Sequence, residues 1–288
     1  MFIKTLVPSD HLIAKLVPIM AQASQILLEE YQSYCAGGEF NIQEKSDDSP
    51  VTQADLKVNH FLLKQLATIT LELPVLSEES DYSARKAWQR CWMLDPLDGT
   101  KEFIHERDEF TINLSLIENH HTTFAIIAVP CEQVMYIGYT SQLPYKYSFS
   151  RQEWYQYQVD EQAADVAIQV GLSHNSKNPK YQNFIAPILQ QREVIRREAG
   201  SAYKFCMMLE GEIDIYPRFH PTSEWDTSSG QSLLESIGGG LLTLEGKPFL
   251  YNQRETVLNG GFIAFKDAAC KKLAYEALAH SGILGGES

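Results

Sequence analysis

Apolar residues recur every three or four positions through "HLIAKLVPIMAQASQILLEEYQ", the period of one helix face, and "CAGGEF" then supplies glycines that stop such a helix. Pro18 falls inside this run and predicts a kink or an early-turn position. A second helix is predicted after "DDSPVTQAD", with Val58, Phe61, Leu62, Leu66 and Ile69 at helical spacings. The period then changes. Short apolar or alternating runs, "PVLS", "CWML", "FTINLSLI", "TTFAIIAVP" and "VMYIGY", read as strands, and two of them lead directly into acidic residues. Further on, "VAIQVGLS" and "GEIDIYPR" read as strands, and "SAYKFCMMLE" and "DTSSGQSLLESIGG" as helices. No repeat, low-complexity tract or long linker interrupts the pattern, so one compact mixed α/β unit is expected.

Composition narrows this picture. With 288 residues, 44% of them hydrophobic and 21% charged, the chain has the make-up of a globular protein able to bury a substantial core. Runs such as "TTFAIIAVP" and "HLIAKLVPIM" are too short to span a bilayer, and the N-terminus lacks the pattern of an export signal. Cys35, Cys91, Cys131, Cys206 and Cys270 are scattered and odd in number, against a disulfide framework or a structural zinc site. A cytoplasmic protein is expected. The net charge of −13 counts against a polyanion-binding surface, because readers of long nucleic acid present clustered Lys and Arg. A small phosphorylated ligand fits only where cations invert the local field, which directs attention to carboxylate clusters.

One such cluster lies in "WMLDPLDGTKEF", Trp92 to Phe103. "CWML" reads as a buried strand, and Pro96 cannot donate to a ladder, so Asp95 is expected at the strand's carboxyl end, where open α/β sheets bind ligands. Taken alone, "DPLDG" is more ordinary as a plain turn. It does not match a calcium EF-hand loop. "PVLSEES" repeats the construction with Glu78 and Glu79, and "SEWDTSSGQSLLESIGG" places Asp226 where it could cap a helix. Glu78, Asp95, Asp98 and Asp226, with the Leu97 carbonyl, make up an oxygen set of the kind magnesium takes. "AGSAYK" begins a helix whose free N–H groups at Gly200 and Ser201 can receive an anion, with Lys204 about one turn on.

"SPVTQAD", "PVLSEES", "WMLDPLDGTKEF" and "EWDTSSGQSLLESIGG" occur in the order seen in the inositol monophosphatase superfamily of metal-dependent phosphatases, which the chain resembles. More narrowly, "DGTKEF" and "GSAYKFCMMLEGEIDIYPRF" resemble the 3'(2'),5'-bisphosphate nucleotidase branch, the CysQ type. The resemblance implies a layered α/β/α/β/α fold, with an N-terminal lobe over residues 1–150, a C-terminal lobe over 151–266, and an added helix and tail over 267–288. It implies two or three magnesium ions held by Glu78, Asp95, Asp98, Asp226 and the Leu97 carbonyl. Asp55 and Thr100 match the pair that orients and deprotonates the attacking water; the plainer alternatives are a helix cap and a turn hydroxyl. His174, Gly200, Ser201, Lys204 and Arg218 match residues that hold the nucleotide, and Glu78, Leu97, Asp98, Gly99, Thr100 and Asp226 adjoin the substrate.

The activity so implied is hydrolysis of the 3'-phosphate of 3'-phosphoadenosine 5'-phosphate, with its 5'-phosphosulfate as a further substrate, in the service of sulfur assimilation. Placement at the cytoplasmic face of the inner membrane is known in that branch, although no segment here supplies an anchor. The alternatives are an inositol- or sugar-phosphate monophosphatase and a non-catalytic magnesium-binding module. The sequence departs at "GLSH", where the branch has "SRSH": Gly171 and Leu172 replace a hydroxyl and a basic residue. "GGEF" at Gly37–Phe40 matches a diguanylate cyclase motif in letters alone and reads as a helix stop. His105, His120, His121 and His220 read as surface histidines. Oligomeric state is not legible.

Overall fold

The computed structural model describes residues 1–44, 50–159, 167–174 and 176–285; Asp47, Asp48, Ser49 and Val166 of the runs quoted above lie outside them, as does the end of the tail. The chain enters with β1 (Phe2–Thr5), α1 (His11–Cys35) and α2 (Gln53–Ile69). There follow β2 (Val75–Ser77), β3 (Arg90–Asp98), α3 (Thr100–Ile104), β4 (Thr111–Glu118), β5 (His121–Val129), β6 (Val134–Tyr139), β7 (Tyr145–Ser148) and β8 (Glu153–Tyr157). The second half runs β9 (Ile168–Leu172), α4 (Pro179–Leu189), β10 (Val194–Glu198), α5 (Tyr203–Leu209) and β11 (Ile215–Arg218). It closes with α6 (Ser228–Glu235), β12 (Gly240–Thr243), β13 (Phe262–Phe265) and α7 (Ala268–His280).

Eight strands form one sheet in the order β1-β8-β7-β6-β5-β4-β3-β2, antiparallel except for the parallel pair β2/β3. Five form a second, β10-β9-β11-β13-β12, parallel from β10 to β11 and antiparallel beyond. Strand alternation explains the layering, because successive side chains point to opposite faces. Trp92, Leu94, Leu114, Leu116 and Ile126 pack with the apolar stripes of α1 and α2. Cys91, Met93, Ala125, Ile127 and Tyr136 emerge on the other face and meet α5, α6 and one side of the small sheet. Val170, Ile215, Ile263 and Phe265 leave the far side of that sheet against α4 and α7. Five layers result, α/β/α/β/α, as the resemblance implies.

The structure differs from the sequence reading in places. The large sheet extends to Tyr157, past the boundary placed at 150, because β8 pairs with both β7 and β1. Helix α7 is not an appendage: Cys270, Ala274, Ala277 and Leu278 are buried and complete the outermost layer. Helix α1 runs unbroken through Pro18, so that residue occupies neither the first turn nor a helix end. The helix ends at the Ala36 cap, after which Gly37 takes φ +78°, a conformation open to glycine at little strain. At 25 residues and a mean hydropathy of 1.3 over its apolar window, α1 has the length and composition of a membrane span, unlike the shorter run read from sequence. Its stripe of Leu16, Met20, Ala23 and Leu27 is fully buried in the core, which accounts for that apolarity.

Candidate active site

Strands β2 and β3 lie parallel with Ser77 opposite Leu94, so Glu78, just past the end of β2, and Asp95, still within β3, stand side by side. Pro96 does not end β3: the strand continues to Asp98, and the ladder with β4 slips between Asp95 and Asp98, where the missing proline N–H is harmless. Inside this bulge the Asp95 carboxylate accepts the Leu97 N–H at 3.0 Å. Gly99 then takes φ +96° to open α3, and a Cβ there would stand 3.1 Å from the Ser201 Cβ. The turn is tight because the second half of the chain presses against it. Asp226 ends a 3-10 turn, Glu224–Asp226, and accepts the Ser223 N–H at 2.9 Å. The cap of α6 is Thr227, so Asp226 closes the preceding turn instead of heading the helix.

These turns bring carboxylate oxygens of Asp95, Asp98 and Asp226 within 4.8 Å of one another, with Glu78 lining the same cleft. Burial, then the charges of Glu78, Asp98 and Asp226, pushes Asp95 well above the usual carboxylate range. Burial and the neighbouring Asp98 and Glu78 do the same to Asp226. Asp98 rises to about 6 through burial, held there by the Ala202 N–H at 2.6 Å and the Asn113 amide at 3.1 Å. Like charges gathered out of water repel unless a cation joins them, and an all-oxygen set of this kind fits a hard divalent ion. The donor chemistry therefore fits the expected metal.

Asp55 lies behind this cluster in the first turn of α2. One carboxylate oxygen takes the N–H and hydroxyl of Thr52 at 2.8 and 2.6 Å in a capping box. The other accepts the Thr100 hydroxyl at 3.3 Å, and the Leu97 carbonyl is 3.2 Å from that same hydroxyl. Cap and Thr100 partner are thus both properties of one side chain. Burial raises Asp55 to about 6, against the opposing hydrogen bonds from Thr52.

The cleft has a volume of about 400 Å³. Glu78, Asp95, Leu97, Asp98, Gly99, Thr100 and Asp226 line it together with His174, Gly200, Ser201 and Arg218. The Arg218 guanidinium donates to the Ser173 hydroxyl at 2.9 Å. Gly171 and Leu172, where the motif departs, face the interior: a Cβ on Gly171 would meet Ile213 at 2.8 Å, and Leu172 packs in the outer core. The departure is one of packing. His105 and His121 are exposed and His120 is half-buried; His220 is exposed but stands on the cleft rim, beyond the plain surface role read for it.

Two expectations for the second anion site do not survive. Lys204 is fully buried, its Nζ donating to the Ala199 carbonyl at 2.7 Å and lying 4.8 Å from the Tyr216 ring centroid, so it braces the wall without lining the cleft. Burial and the charge of Arg218 lower it to about 7. Helix α5 begins only at Tyr203, and the Gly200 N–H is not free, being donated to Glu109 at 2.7 Å. Sequence reasoning missed Glu109, Asn113 and Ser173. Asn113 left a signal, since Thr111, Asn113 and Ser115 put polar atoms on every second position of an otherwise apolar buried strand. Glu109 left none, because its partners come from distant segments.

The chain belongs to the inositol monophosphatase family, whose model matches residues 9–280. Within it, the chain is 36% identical over 234 residues to the 3'(2'),5'-bisphosphate nucleotidase CysQ of Salmonella typhimurium, covering 80% of this chain and 91% of that protein. It is 33% identical over 233 residues to the CysQ of Escherichia coli K12, with the same coverage. Among solved structures, CysQ from Bacteroides thetaiotaomicron superposes with a TM-score of 0.72 at 29% identity, over 88% of this chain and 96% of that one. Inositol monophosphatase II of Staphylococcus aureus, at 15% identity and a TM-score of 0.71 over 96% and 97% of the two chains, shares the fold.

Proposed function

We propose that the protein is a magnesium-dependent phosphatase that removes the 3'-phosphate of 3'-phosphoadenosine 5'-phosphate, with the 5'-phosphosulfate as a further substrate, in recycling linked to sulfur assimilation. The observation that carries the reading is the meeting of three carboxylates, Asp95 buried and Asp98 and Asp226 half-buried, with the Asp55–Thr100 pair in a cleft that Arg218 also lines. The resemblance to two CysQ nucleotidases over four-fifths of the chain favours a nucleotide bisphosphate.

Glu78, Asp95, Asp98, Asp226 and the Leu97 carbonyl would hold the magnesium. When bound, those ions neutralise phosphate charge and make the attacking water more acidic. The chain's own residues supply the rest. Thr100 places a hydroxyl 3.3 Å from the Asp55 carboxylate, so a proton leaving water toward Thr100 has an acceptor-only group behind it. The Thr52 bonds fix that carboxylate with one oxygen turned to Thr100. Arg218, His174 and Ser201 are offered to the nucleotide and its second phosphate. Lys204 contributes by holding the Ala199–Ser201 wall.

The test measures phosphate release from 3'-phosphoadenosine 5'-phosphate and from inositol 1-phosphate, with magnesium and then with added lithium. A higher kcat/KM on the bisphosphate, with inhibition by lithium, is the expected result. Preference for the inositol ester would overturn the substrate, and inactivity on every phosphate ester would overturn the enzyme reading.

A further inference from the structure

Glu109 stands just before β4, next to the turn that carries Asp98, yet binds two segments from the other half of the chain. One of its carboxylate oxygens meets the His174 Nε2 at 2.5 Å and the Gly200 N–H at 2.7 Å. Its backbone carbonyl accepts the Ser201 hydroxyl at 2.8 Å. The adjoining Ala202 N–H goes to the Asp98 carboxylate at 2.6 Å. Ser201, between these bonds, has φ +41°, a left-handed conformation that a non-glycine residue keeps only when its surroundings impose it. Glu102 crowds Gly200 from the same side, leaving no room for a Cβ. The wall formed by His174, Gly200 and Ser201 is therefore held in place by Glu109.

We propose that Glu109 is a specificity-determining positioning residue. It sets the His174 ring and the Gly200–Ala202 turn in the arrangement that receives the nucleotide beyond the scissile phosphate. The inference rests on the nucleotide-bisphosphate reading above. A hydrogen bond to a charged group is stronger than a neutral one, and groups held out of geometry lose binding before they lose chemistry. The metal acids keep anchors outside this turn: the Asn113 amide donates to Asp98 and the Ser223 N–H to Asp226. Because a single oxygen serves both partners, an amide oxygen in its place can accept from both.

Steady-state kinetics on wild type, Glu109→Ala, Glu109→Gln, His174→Ala and the double alanine variant test this, using 3'-phosphoadenosine 5'-phosphate and the small ester p-nitrophenyl phosphate. Glu109→Ala should raise KM for the bisphosphate about tenfold or more while kcat stays within about threefold, and KM for the small ester should not move. Glu109→Gln should recover most of the loss. The double variant should be little worse than either single one, since the two side chains act as a unit. Equal losses on both substrates, additive losses in the double variant, or no change in KM overturn the proposal while leaving the wild-type substrate assignment standing. A wild-type enzyme active on the small ester but inactive on the bisphosphate overturns that assignment, and this proposal with it.

Discussion

Asp98 is the residue on which the two halves of the molecule converge. It comes from β3, is fixed by Asn113 of β4, and accepts the Ala202 N–H from beyond β10. Its carboxylate is also one of three gathered within 4.8 Å, and its charge helps to raise both Asp95 and Asp226. Asp98→Asn should lower kcat by about 10³-fold or more, because the metal loses an anionic ligand, while the fold is retained. The variant's melting temperature in EDTA should be no lower than that of wild type, since a mutual repulsion has been removed. A melting temperature well below wild type would show a structural role instead. Thr100→Ala should reduce kcat by about 10²- to 10⁴-fold, and Thr100→Ser, which keeps the hydroxyl facing Asp55, should retain most of the rate in phosphate-release assays.

At the scale of elements, legibility followed local pattern. Helices α1 and α2 and strands β4 to β6 were readable because their apolar residues keep one period over eight or more positions or form buried runs bounded by turns. Strand β10 was not, because "VIRRE" is half-buried only at Val194 and otherwise exposed at the sheet edge, so no period marks it. The acids that gather at the cleft were legible in the same sense, each lying at the end of a short strand or closing a turn. Lys204 was misplaced because helical spacing gives its distance along α5 but not the side from which the sheet covers it. Its position leads to another expectation: Lys204→Ala leaves the Ala199 carbonyl buried and unpaired, which costs about 1–3 kcal/mol. Its melting temperature should fall by several degrees, and its KM for the bisphosphate should rise only as far as the neighbouring turn relaxes. A variant as stable as wild type, measured by thermal denaturation, would refute the bracing role.

For the whole molecule, the carboxylate centre makes stability depend on pH and metal together. Asp55 and Asp98 are raised to about 6, and Asp95 and Asp226 are likewise raised well above an unfolded value near 3.9. The folded chain therefore binds more protons than the unfolded one through this range. Stability drawn from those protons is complete below about pH 4 and is lost as pH rises through 6 and beyond. Metal-free protein should accordingly melt lower at pH 8 than at pH 5. Magnesium should raise the melting temperature by several degrees at pH 8, where the acids are charged, and by much less at pH 5. Thermal denaturation with and without EDTA checks both, and an equal magnesium effect at the two values would contradict the assignment of these acids.

The middle helical layer also bears on biosynthesis. Helices α5 and α6 come from the second half of the chain, yet they cover the inner face of the sheet built by the first. A ribosome making this protein finishes β8 at Tyr157 long before Glu235 closes α6. At about 5–20 residues per second, the apolar face of Met93, Ala125, Ile127 and Tyr136 waits on the order of 4–15 s for its cover. During that interval the nascent sheet is a surface for chaperones, and slow codons between β8 and α6 would lengthen its exposure.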